Sequence, residues 1–270
     1  LDPYTGGMGT VAEAARNLAC VGAAPLGLTD CLNFGNPERE DVMWQFSQVI
    51  LGMREACLAL DVPVVSGNVS FYNETEGVSI YPTPTVAMVG LLDNVEFIAT
   101  PWFKDDGDLV VLLGSKLGEV GGSEYLKVVH GQVAGRPPRV NLTLERGVQR
   151  TCRKAVELGL LSSAHDVSEG GLAVALAEAC FGDPGIGAVI ELEPDGRPDD
   201  LLFGESHSRI VVSLREGNYR QLKVLASKEN IPVTVIGTVG GSQLVIGNLV
   251  RTSVERLRNV WSTALERCVK

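Results

Sequence analysis

The chain has 270 residues, of which 45% are hydrophobic and 21% charged. This composition is typical of a globular chain with a sizeable core, and the length favours about two domains. The 33 acidic and 23 basic residues give a net charge of −10, so the surface repels phosphate backbones and argues against a nucleic-acid partner. No apolar run approaches the ~20 residues that span a bilayer, and no signal peptide is visible, which argues against a membrane protein.

The six cysteines lie far apart, form no CxxC pair and have mostly apolar neighbours. This pattern predicts buried thiols in a reducing, cytoplasmic environment and argues against a zinc site or a disulfide framework. The chain begins Leu-Asp-Pro without a methionine, which suggests a fragment or a processed product. The cysteines are Cys20, Cys31, Cys57, Cys152, Cys180 and Cys268.

The first predicted helix follows a glycine-rich segment, PYTGGMG, at residues 3–9. Thr10 and Glu13 have the spacing of a capping box, so we expect the helix to begin at Thr10. Glu13 and Asn17 lie four residues apart and therefore share one face of this helix. Two oxygen-bearing side chains at that spacing suit either a hard cation such as Mg²⁺ or an ordinary solvated face, and the residues alone leave both open.

A strand, a helix and a second strand are predicted next. Residues 25–30 form a short apolar strand that ends at Asp30. Asn36 then has the position of a helix cap, with Pro37 at the first helical position, and apolar residues recur at helical spacing over 37–60. Residues 62–65 form a β-branched run that predicts a buried strand. A helix between two strands favours a parallel crossover unit.

Small polar residues follow the second strand, in the order Ser66-Gly67-Asn68. Because parallel strands end at the same edge of a sheet, we expect Asp30 to lie close to this segment. A carboxylate, an amide and a glycine backbone without a Cβ suit a nucleotide and a metal ion. An ordinary turn after a strand is the alternative interpretation.

A third strand at 85–91 completes the first unit, and a polar segment around Pro101 predicts a domain boundary near residue 100, dividing the chain into 1–100 and 101–270. The second unit alternates strands and helices, so the predicted class is α/β (α+β) with a mixed sheet. Helices are expected at 122–130, 142–158, 172–180, 217–229 and 252–268, and strands at 109–113, 187–193, 209–214, 232–238 and 243–248.

The second polar cluster is HDVSEGG at residues 165–171. Asp166, Ser168 and the glycines before a helix offer a metal ligand, a hydroxyl and backbone amides at a positive helix end, although a plain helix cap has the same pattern. His165 beside Asp166 suggests a general base, but no nucleophile motif accompanies it. The segment FGESHSR, residues 203–209, could place Glu205 or His207 near this cluster.

Five segments in a fixed order together resemble one family. The chain is similar over nearly its whole length to the carboxy-terminal half of the large, synthetase subunits of phosphoribosylformylglycinamidine synthases. The HD-x-S-x-GGL motif is shared with related enzymes, the aminoimidazole ribonucleotide and selenophosphate synthetases, whereas TDCLNFGNPE and SGNVSFYNET separate them. The segments are PYTGGMGTVAEAARNLACVGAAPLGLTDCLNFGNPE, PVVSGNVSFYNET, PTPTVAMVG, HDVSEGGLAVALAEA and LFGESHSR.

This resemblance implies the second of two tandem units, each with an amino-terminal barrel-forming domain and an outer carboxy-terminal α/β domain. The reaction it implies is a step of purine biosynthesis. ATP and Mg²⁺ activate the amide oxygen of formylglycinamide ribonucleotide, and glutamine-derived ammonia then gives the amidine. The implied partners are the amino-terminal half of the same subunit, a glutaminase subunit and a small bridging subunit. Exposed barrel edges also predict a homodimer of the isolated chain.

The resemblance also implies roles for individual residues. Asp30 and Gly67 are expected to contact ATP, Asn68 to bind Mg²⁺ and Ser70 to contact the ribonucleotide. The family's catalytic histidines and ATP-contacting lysine belong to the first half, so we expect no catalytic residue here and no activity of this chain alone. The alternative is a non-catalytic, structural nucleotide-binding module. The positions that imply such a second nucleotide and metal pocket are Glu13, Asn17, Asp166 and Ser168.

Overall fold

The computed structural model of the chain describes residues 1–192 and 196–269. They form a three-stranded sheet, a seven-stranded mixed sheet and a short two-stranded hairpin, which confirms the predicted α/β class. The helices are α1 (Pro3–Val21), α2 (Glu40–Leu60), α3 (Glu124–His130), α4 (Leu142–Glu157), α5 (Gly171–Ala179), α6 (Pro198–Phe203), α7 (Tyr219–Lys228), α8 (Val254–Ser262) and α9 (Ala264–Val269), with a 3-10 turn at Glu216–Asn218. The strands are β1 (Ala24–Asn33), β2 (Val64–Ser70), β3 (Glu74–Thr75), β4 (Val78–Ser79), β5 (Thr83–Leu91), β6 (Leu109–Gly114), β7 (Ser163–Asp166), β8 (Ala188–Ile190), β9 (Arg209–Leu214), β10 (Val233–Val239), β11 (Gln243–Ile246) and β12 (Val250–Ser253).

Helix α1 begins at Pro3, so the prediction of a start at Thr10 is wrong. Asp2 is the cap, and its side chain accepts a hydrogen bond of 3.0 Å from the backbone N of Thr5. Proline at the first helical position has the φ that a helix requires. The glycine-rich segment is therefore the first two turns of the helix.

Glycines in α1 and α2 allow the two helices to pack backbone against backbone. A Cβ added to Gly7 would lie 2.5 Å from the carbonyl oxygen of Val49, and one added to Gly52 would lie 2.9 Å from the carbonyl carbon of Tyr4. Glycine costs a helix about 1 kcal/mol relative to alanine. The close packing of α1 against α2 offsets this cost, which local sequence patterns do not reveal.

Helix α2 begins at Glu40 with Arg39 as its cap, so the predicted start at Asn36 and Pro37 is wrong. The Asn36 side chain instead accepts a hydrogen bond of 2.9 Å from the backbone N of Glu38, within a turn. The helix then leads to β2, which pairs with β1 in parallel and confirms the predicted strand–helix–strand unit.

Strand β2 is exposed rather than buried, contrary to the prediction. Val62, just before the strand, is buried, but Val64 and Val65 are 52% and 70% exposed. The three-stranded sheet has the order β2-β1-β5, so β2 is its edge strand, and α1 and α2 cover only one face. Leu28 and Leu32 of β1 point to these helices.

The other face of this sheet is called the open face below. Strand alternation and the observed register place small and polar residues on it, together with the exposed apolar side chains of Val89 and Leu91 at the far end of β5. Its small and polar residues are Thr29, Cys31, Ser66, Asn68, Ser70, Thr85 and Ala87.

The seven-stranded sheet has the order β12-β11-β8-β10-β6-β9-β7. Alternate residues of β6 enter two separate cores. Val110 and Leu112 pack with α5 and α6 on one face, whereas Val111 and Leu113 pack with α4 and α7 on the other. Because both faces of β6 are buried, its sequence is a continuous run of apolar residues.

Two predictions in the second half need correction, and one helix was missed. The segment 252–268 is not one helix, because β12 runs to Ser253 and Ser253 then caps α8 by accepting a hydrogen bond of 3.2 Å from Arg256 N. Helix α6, at Pro198–Phe203, was not predicted. The strand expected at 187–193 is Ala188–Ile190, and residue 193 lies outside the described residues.

The cysteines are free thiols, and four of them are buried as predicted. Cys31 is half-buried on the open face and Cys268 is exposed on α9, so the prediction is wrong for these two. Over 1–192 and 196–269, no helix is long and apolar enough to cross a membrane.

Replacing Gly52 with alanine tests the contact between α1 and α2. The new methyl group would meet the backbone of Tyr4, so we expect Gly52→Ala to lower the free energy of unfolding by about 1–3 kcal/mol. Denaturant unfolding would measure this loss. Gly6→Ala is the matched control, because nothing lies within 4 Å of a Cβ there and the gain in helix propensity is about 1 kcal/mol at most. Equal stability of the two variants would contradict the proposed contact.

Candidate functional site

The structure places Asp30 directly beside Gly67. The two residues are register partners in the parallel pair of β1 and β2. A Cβ added to Gly67 would lie 2.8 Å from Cγ of Asp30 and closer still to its Oδ1, so the carboxylate occupies the space that a side chain would need. Desolvation raises the pKa of Asp30. The pKa of Cys57 on α2 is raised by burial and by the charge of Asp30, so the carboxylate faces the helices.

Asn68 and Ser70 lie on the open face, opposite to Asp30. They are the register partners of Cys31 and Asn33, and alternation turns their side chains away from the helices. Asn68 is exposed and Ser70 is half-buried. The sequence predicted Asp30 at the end of a strand and the other three residues in a loop after the next strand. All four lie within strands, with Asp30 and Gly67 on one face of the sheet and Asn68 and Ser70 on the other.

Two residues of the second predicted pocket meet around a buried arginine. Ser168 Oγ donates a short hydrogen bond to Asp166 Oδ2. Arg16 Nη2 lies 3.1 Å from Ser168 Oγ, and Arg16 Nε lies 3.8 Å from Asp166 Oδ2. Burial raises the pKa of Glu13, with Arg16 opposing the shift and Asp166 adding to it, so Glu13 faces the same cluster. Asn17, one turn further along α1, is exposed.

Arg16 also forms a fully buried ion pair with Glu145 of α4. Nη1 and Oε1 are 2.8 Å apart, and the two side chains are 1% and 0% exposed. Glu145 accepts further hydrogen bonds from Ser208, at 2.7 Å, and from Gln149, at 2.9 Å. Burial would raise the pKa of Glu145, but the charge of Arg16 and these hydrogen bonds outweigh it and lower the pKa. The pair joins α1 to the helices of the seven-stranded sheet.

The sequence analysis missed Arg16 and Glu145. A signal for Arg16 was present, because it lies three and four residues from Ala19 and Ala12 on the apolar stripe of α1. A charged residue on such a stripe needs a buried partner. The partner, 129 positions away, has no sequence signal of its own.

The arginine changes how well this cluster suits a cation. Its guanidinium lies 3.8 Å from Asp166 and offsets part of the charge of that carboxylate, but it is also the counter-charge of Glu145. In the part of the chain that the structure describes, no three His, Cys, Asp or Glu side chains are grouped to hold a metal ion. The single positive charge of Arg16 is shared between Glu145 and Asp166, so negative charge remains beside Glu13, and the metal site stays a prediction.

His165 is held by structural contacts. Its Nδ1 lies 2.7 Å from the carbonyl oxygen of Asp166, and its Nε2 lies 3.4 Å from Oε2 of Glu178. Burial lowers the pKa of His165, but these acceptors raise it further, so the net shift is upward. Glu178 also accepts a hydrogen bond of 3.1 Å from Trp261 Nε1, and the chain of contacts therefore links β7, α5 and α8.

Glu205 and His207 both approach the Arg16 cluster. Glu205 accepts hydrogen bonds from the backbone N of Gly170, at 2.8 Å, and of Glu124, at 3.0 Å, and so caps the starts of α5 and α3. His207 packs against Gly9 of α1, where burial, and then the charge of Arg16, lower its pKa to about 4. His207 is therefore neutral at pH 7.

Comparison with known families matches the chain in two parts. Residues 1–92 match the model of the AIR synthase related protein, N-terminal domain, and residues 105–248 match the model of the AIR synthase related protein, C-terminal domain.

Individual proteins give consistent similarities. The phosphoribosylformylglycinamidine synthase subunit PurL of Anaeromyxobacter sp. (strain K) is 53% identical over 97% of this chain, which spans 36% of that relative. The structure of T. maritima PurL complexed with FGAR has a TM-score of 0.77 at 19% identity, covering 95% of this chain and 43% of that one. T. maritima PurL complexed with ATP has a TM-score of 0.73 at 20% identity, covering 94% and 41%. At these identities the two structures establish the fold alone.

The pH dependence of stability tests the buried ion pair. A carboxyl group whose pKa is lowered by folding stabilises the protein above its ordinary pKa of 4.5, and this stabilisation is lost as the pH falls through the folded-state pKa. We expect Glu145→Gln to cost about 3–5 kcal/mol at pH 7, because it leaves Arg16 buried without a counter-charge. The difference from the parent should shrink below pH 4.5 in denaturant unfolding.

Glu157→Gln is the matched control on the same helix. Glu157 pairs with Lys154 at 2.7 Å, but both side chains are about half exposed, and we expect a change below about 0.5 kcal/mol. A pH-independent loss in Glu145→Gln, or equal losses in the two variants, would contradict the role given to the pair.

Proposed function

The chain belongs to the AIR synthase related protein family, and from this premise we propose that it forms the second half of a phosphoribosylformylglycinamidine synthase subunit. In this proposal it serves as one wall of the site of an ATP-dependent ligase in purine biosynthesis. That ligase converts formylglycinamide ribonucleotide and glutamine-derived ammonia to the amidine. The similarity to a named PurL subunit, 53% identical over 97% of this chain, supports the proposal more than any other observation.

We assign four residues of β1 and β2 to the ligands of this reaction. Asp30 and Gly67 contact ATP, Asn68 binds Mg²⁺, and Ser70 contacts the ribonucleotide. The parallel register that seats Asp30 beside Gly67 supports the first pair. Since β2 is the edge strand of its sheet, a ligand along its edge can reach Gly67 on one face and Asn68 on the other.

The residues present fit a shared magnesium site. Mg²⁺ prefers oxygen ligands and is usually held by one or two protein groups together with substrate phosphates and water. Asn68 offers an exposed amide oxygen of the required kind. Bound Mg²⁺ would neutralise negative charge on the transferring phosphoryl group. In the proposal, further carboxylate ligands come from the first half of the subunit.

The exposure of the open face supports the proposal that another part of the subunit packs against the three-stranded sheet. This chain spans 36% of the relative from Anaeromyxobacter, and we propose that the amino-terminal half of the same subunit covers the open face. A glutaminase subunit and a small bridging subunit complete the proposed cytoplasmic complex. We also propose the domain boundary near residue 100, which the gap between the two matched regions, 1–92 and 105–248, supports.

A second, non-catalytic nucleotide pocket is a weaker proposal. It would use Glu13, Asn17, Asp166 and Ser168, but Arg16 already compensates part of its charge. Heat denaturation of the purified protein and detection of released nucleotide would test it. Released nucleotide would favour the structural-module alternative, and its absence would leave the synthetase function as the proposal.

Complementation tests the proposed function. We expect no amidine from this chain alone, and ATP-dependent formation of formylglycinamidine ribonucleotide once the remainder of the subunit and ammonia are supplied. Product can be followed by mass spectrometry, with the remainder of the subunit alone as the control. Turnover by the isolated chain, or none by the complete mixture, would contradict the proposal.

Substitution at Gly67 tests the nucleotide assignment. A methyl group there would displace the Asp30 carboxylate, so we expect Gly67→Ala to raise the KM for ATP in the complete enzyme about tenfold or more. Gly217→Ala is the control, because a Cβ at Gly217 meets nothing within 4 Å. An unchanged KM for ATP in a folded Gly67→Ala enzyme would remove Gly67 and Asp30 from the site.

A further inference from the structure

The side-chain amide of Asn73 connects the carboxyl ends of β1 and β2. Its Nδ2 donates to the carbonyl oxygens of Phe34 and Ser70, both at 3.0 Å. The same nitrogen lies 3.1 Å from Ser70 Oγ. The backbone N of Asn73 also donates to Phe34 O, at 3.1 Å. The side chain therefore continues the pairing of the two strands past their last residues and contacts the Ser70 hydroxyl directly.

The two residues between Ser70 and Asn73 aim this amide. Phe71 packs against Phe46 and Phe34, with ring centroids 5.4 Å and 6.4 Å away, and so anchors the chain on the core of α2. Tyr72 has a φ of 59°, in the left-handed region that residues other than glycine seldom adopt. This turn directs Asn73 back over Ser70, and such a conformation persists only where the surroundings impose it.

We propose that Asn73 is a positioning residue that presents the Ser70 hydroxyl as a hydrogen-bond donor to an anionic oxygen of the ribonucleotide. This inference rests on the proposed function, which assigns Ser70 to that substrate. A hydroxyl has one proton to donate. Asn73 Nδ2 has two protons for three acceptors, so Ser70 Oγ shares one of them with a backbone carbonyl oxygen in a bifurcated hydrogen bond. When Ser70 Oγ accepts in this way, its own proton stays free for a ligand. Without a ligand it can reach Asn73 Oδ1, at the longer distance of 3.3 Å. A substrate oxygen can replace this weaker contact.

Kinetics of the complete synthetase test the inference. We expect Asn73→Ala to raise the KM for formylglycinamide ribonucleotide about tenfold, the size expected for one lost hydrogen bond to a charged group, with the KM for ATP changed less than about twofold. Asn73→Asp keeps the shape of the side chain but removes the Nδ2 donor, so it should raise the same KM. It also serves as the test variant if the alanine variant does not fold.

A double-mutant cycle separates positioning from a general structural effect. If Asn73 acts through the Ser70 hydroxyl, then Asn73→Ala should raise the substrate KM less than about twofold further in a Ser70→Ala background. Ser79→Ala is the matched control in the adjoining hairpin, because its hydroxyl bonds to Glu74, at 3.2 Å, and makes no bond to Ser70. We expect this control to leave both KM values unchanged. Melting temperatures of all variants would show which ones fold.

Each outcome bears on a different statement. An unchanged substrate KM in both Asn73 variants would overturn the inference, as would an equal increase with and without the Ser70 hydroxyl. An active Ser70→Ala enzyme with an unchanged substrate KM would overturn the assignment of Ser70 and this inference with it. Absence of amidine formation by the complete parent enzyme would overturn the proposed function itself.

Discussion

The parallel pairing of β1 with β2 is the constraint on which the candidate site depends. Parallel neighbours require a crossover connection, and α2 provides it. The resulting register sets Asp30 against position 67, where the carboxylate already occupies the space of a Cβ. Glycine is therefore required by packing within the protein itself, before any ligand is considered. The same register places Asn68 and Ser70 on the opposite face, so the edge of β2 separates two chemically different surfaces.

A second constraint joins this small sheet to the rest of the chain. The Arg16 side chain extends from α1 to Glu145 on α4, where Nη1 and Oε1 are 2.8 Å apart and both side chains are buried from water. A buried charge without its partner is strongly destabilising, so the pair holds α1 in one position relative to the seven-stranded sheet. The same guanidinium contacts Ser168 and approaches Asp166. A motif that resembles a nucleotide pocket is thereby used, at least in part, as an internal ion-pair network.

These two constraints assign different roles to different parts of the proposed enzyme half. The network around Arg16 fixes the position of α1, and α1 and α2 in turn support one face of the three-stranded sheet. The other face is open and carries small and polar side chains together with the exposed Val89 and Leu91. The polar part of this face, on β1 and β2, suits phosphorylated ligands, and Asn73 secures the corner where Ser70 lies. The structure thus favours ligand contact on β2 and a supporting role for the histidines near Asp166.

The sequence by itself determined the α/β class, the crossover of β1 and β2, and most of the helices and strands, because these follow from local periodicity and chain connectivity. It also carried the family resemblance, through motifs that span nearly the whole chain. Only the tertiary structure decided that PYTGGMG is helical, because close packing between helices overrides the low helix propensity of glycine. The exposure of β2 and the pairing of Arg16 with Glu145 both depend on contacts between residues that are distant in the sequence. Local sequence patterns do not encode such contacts.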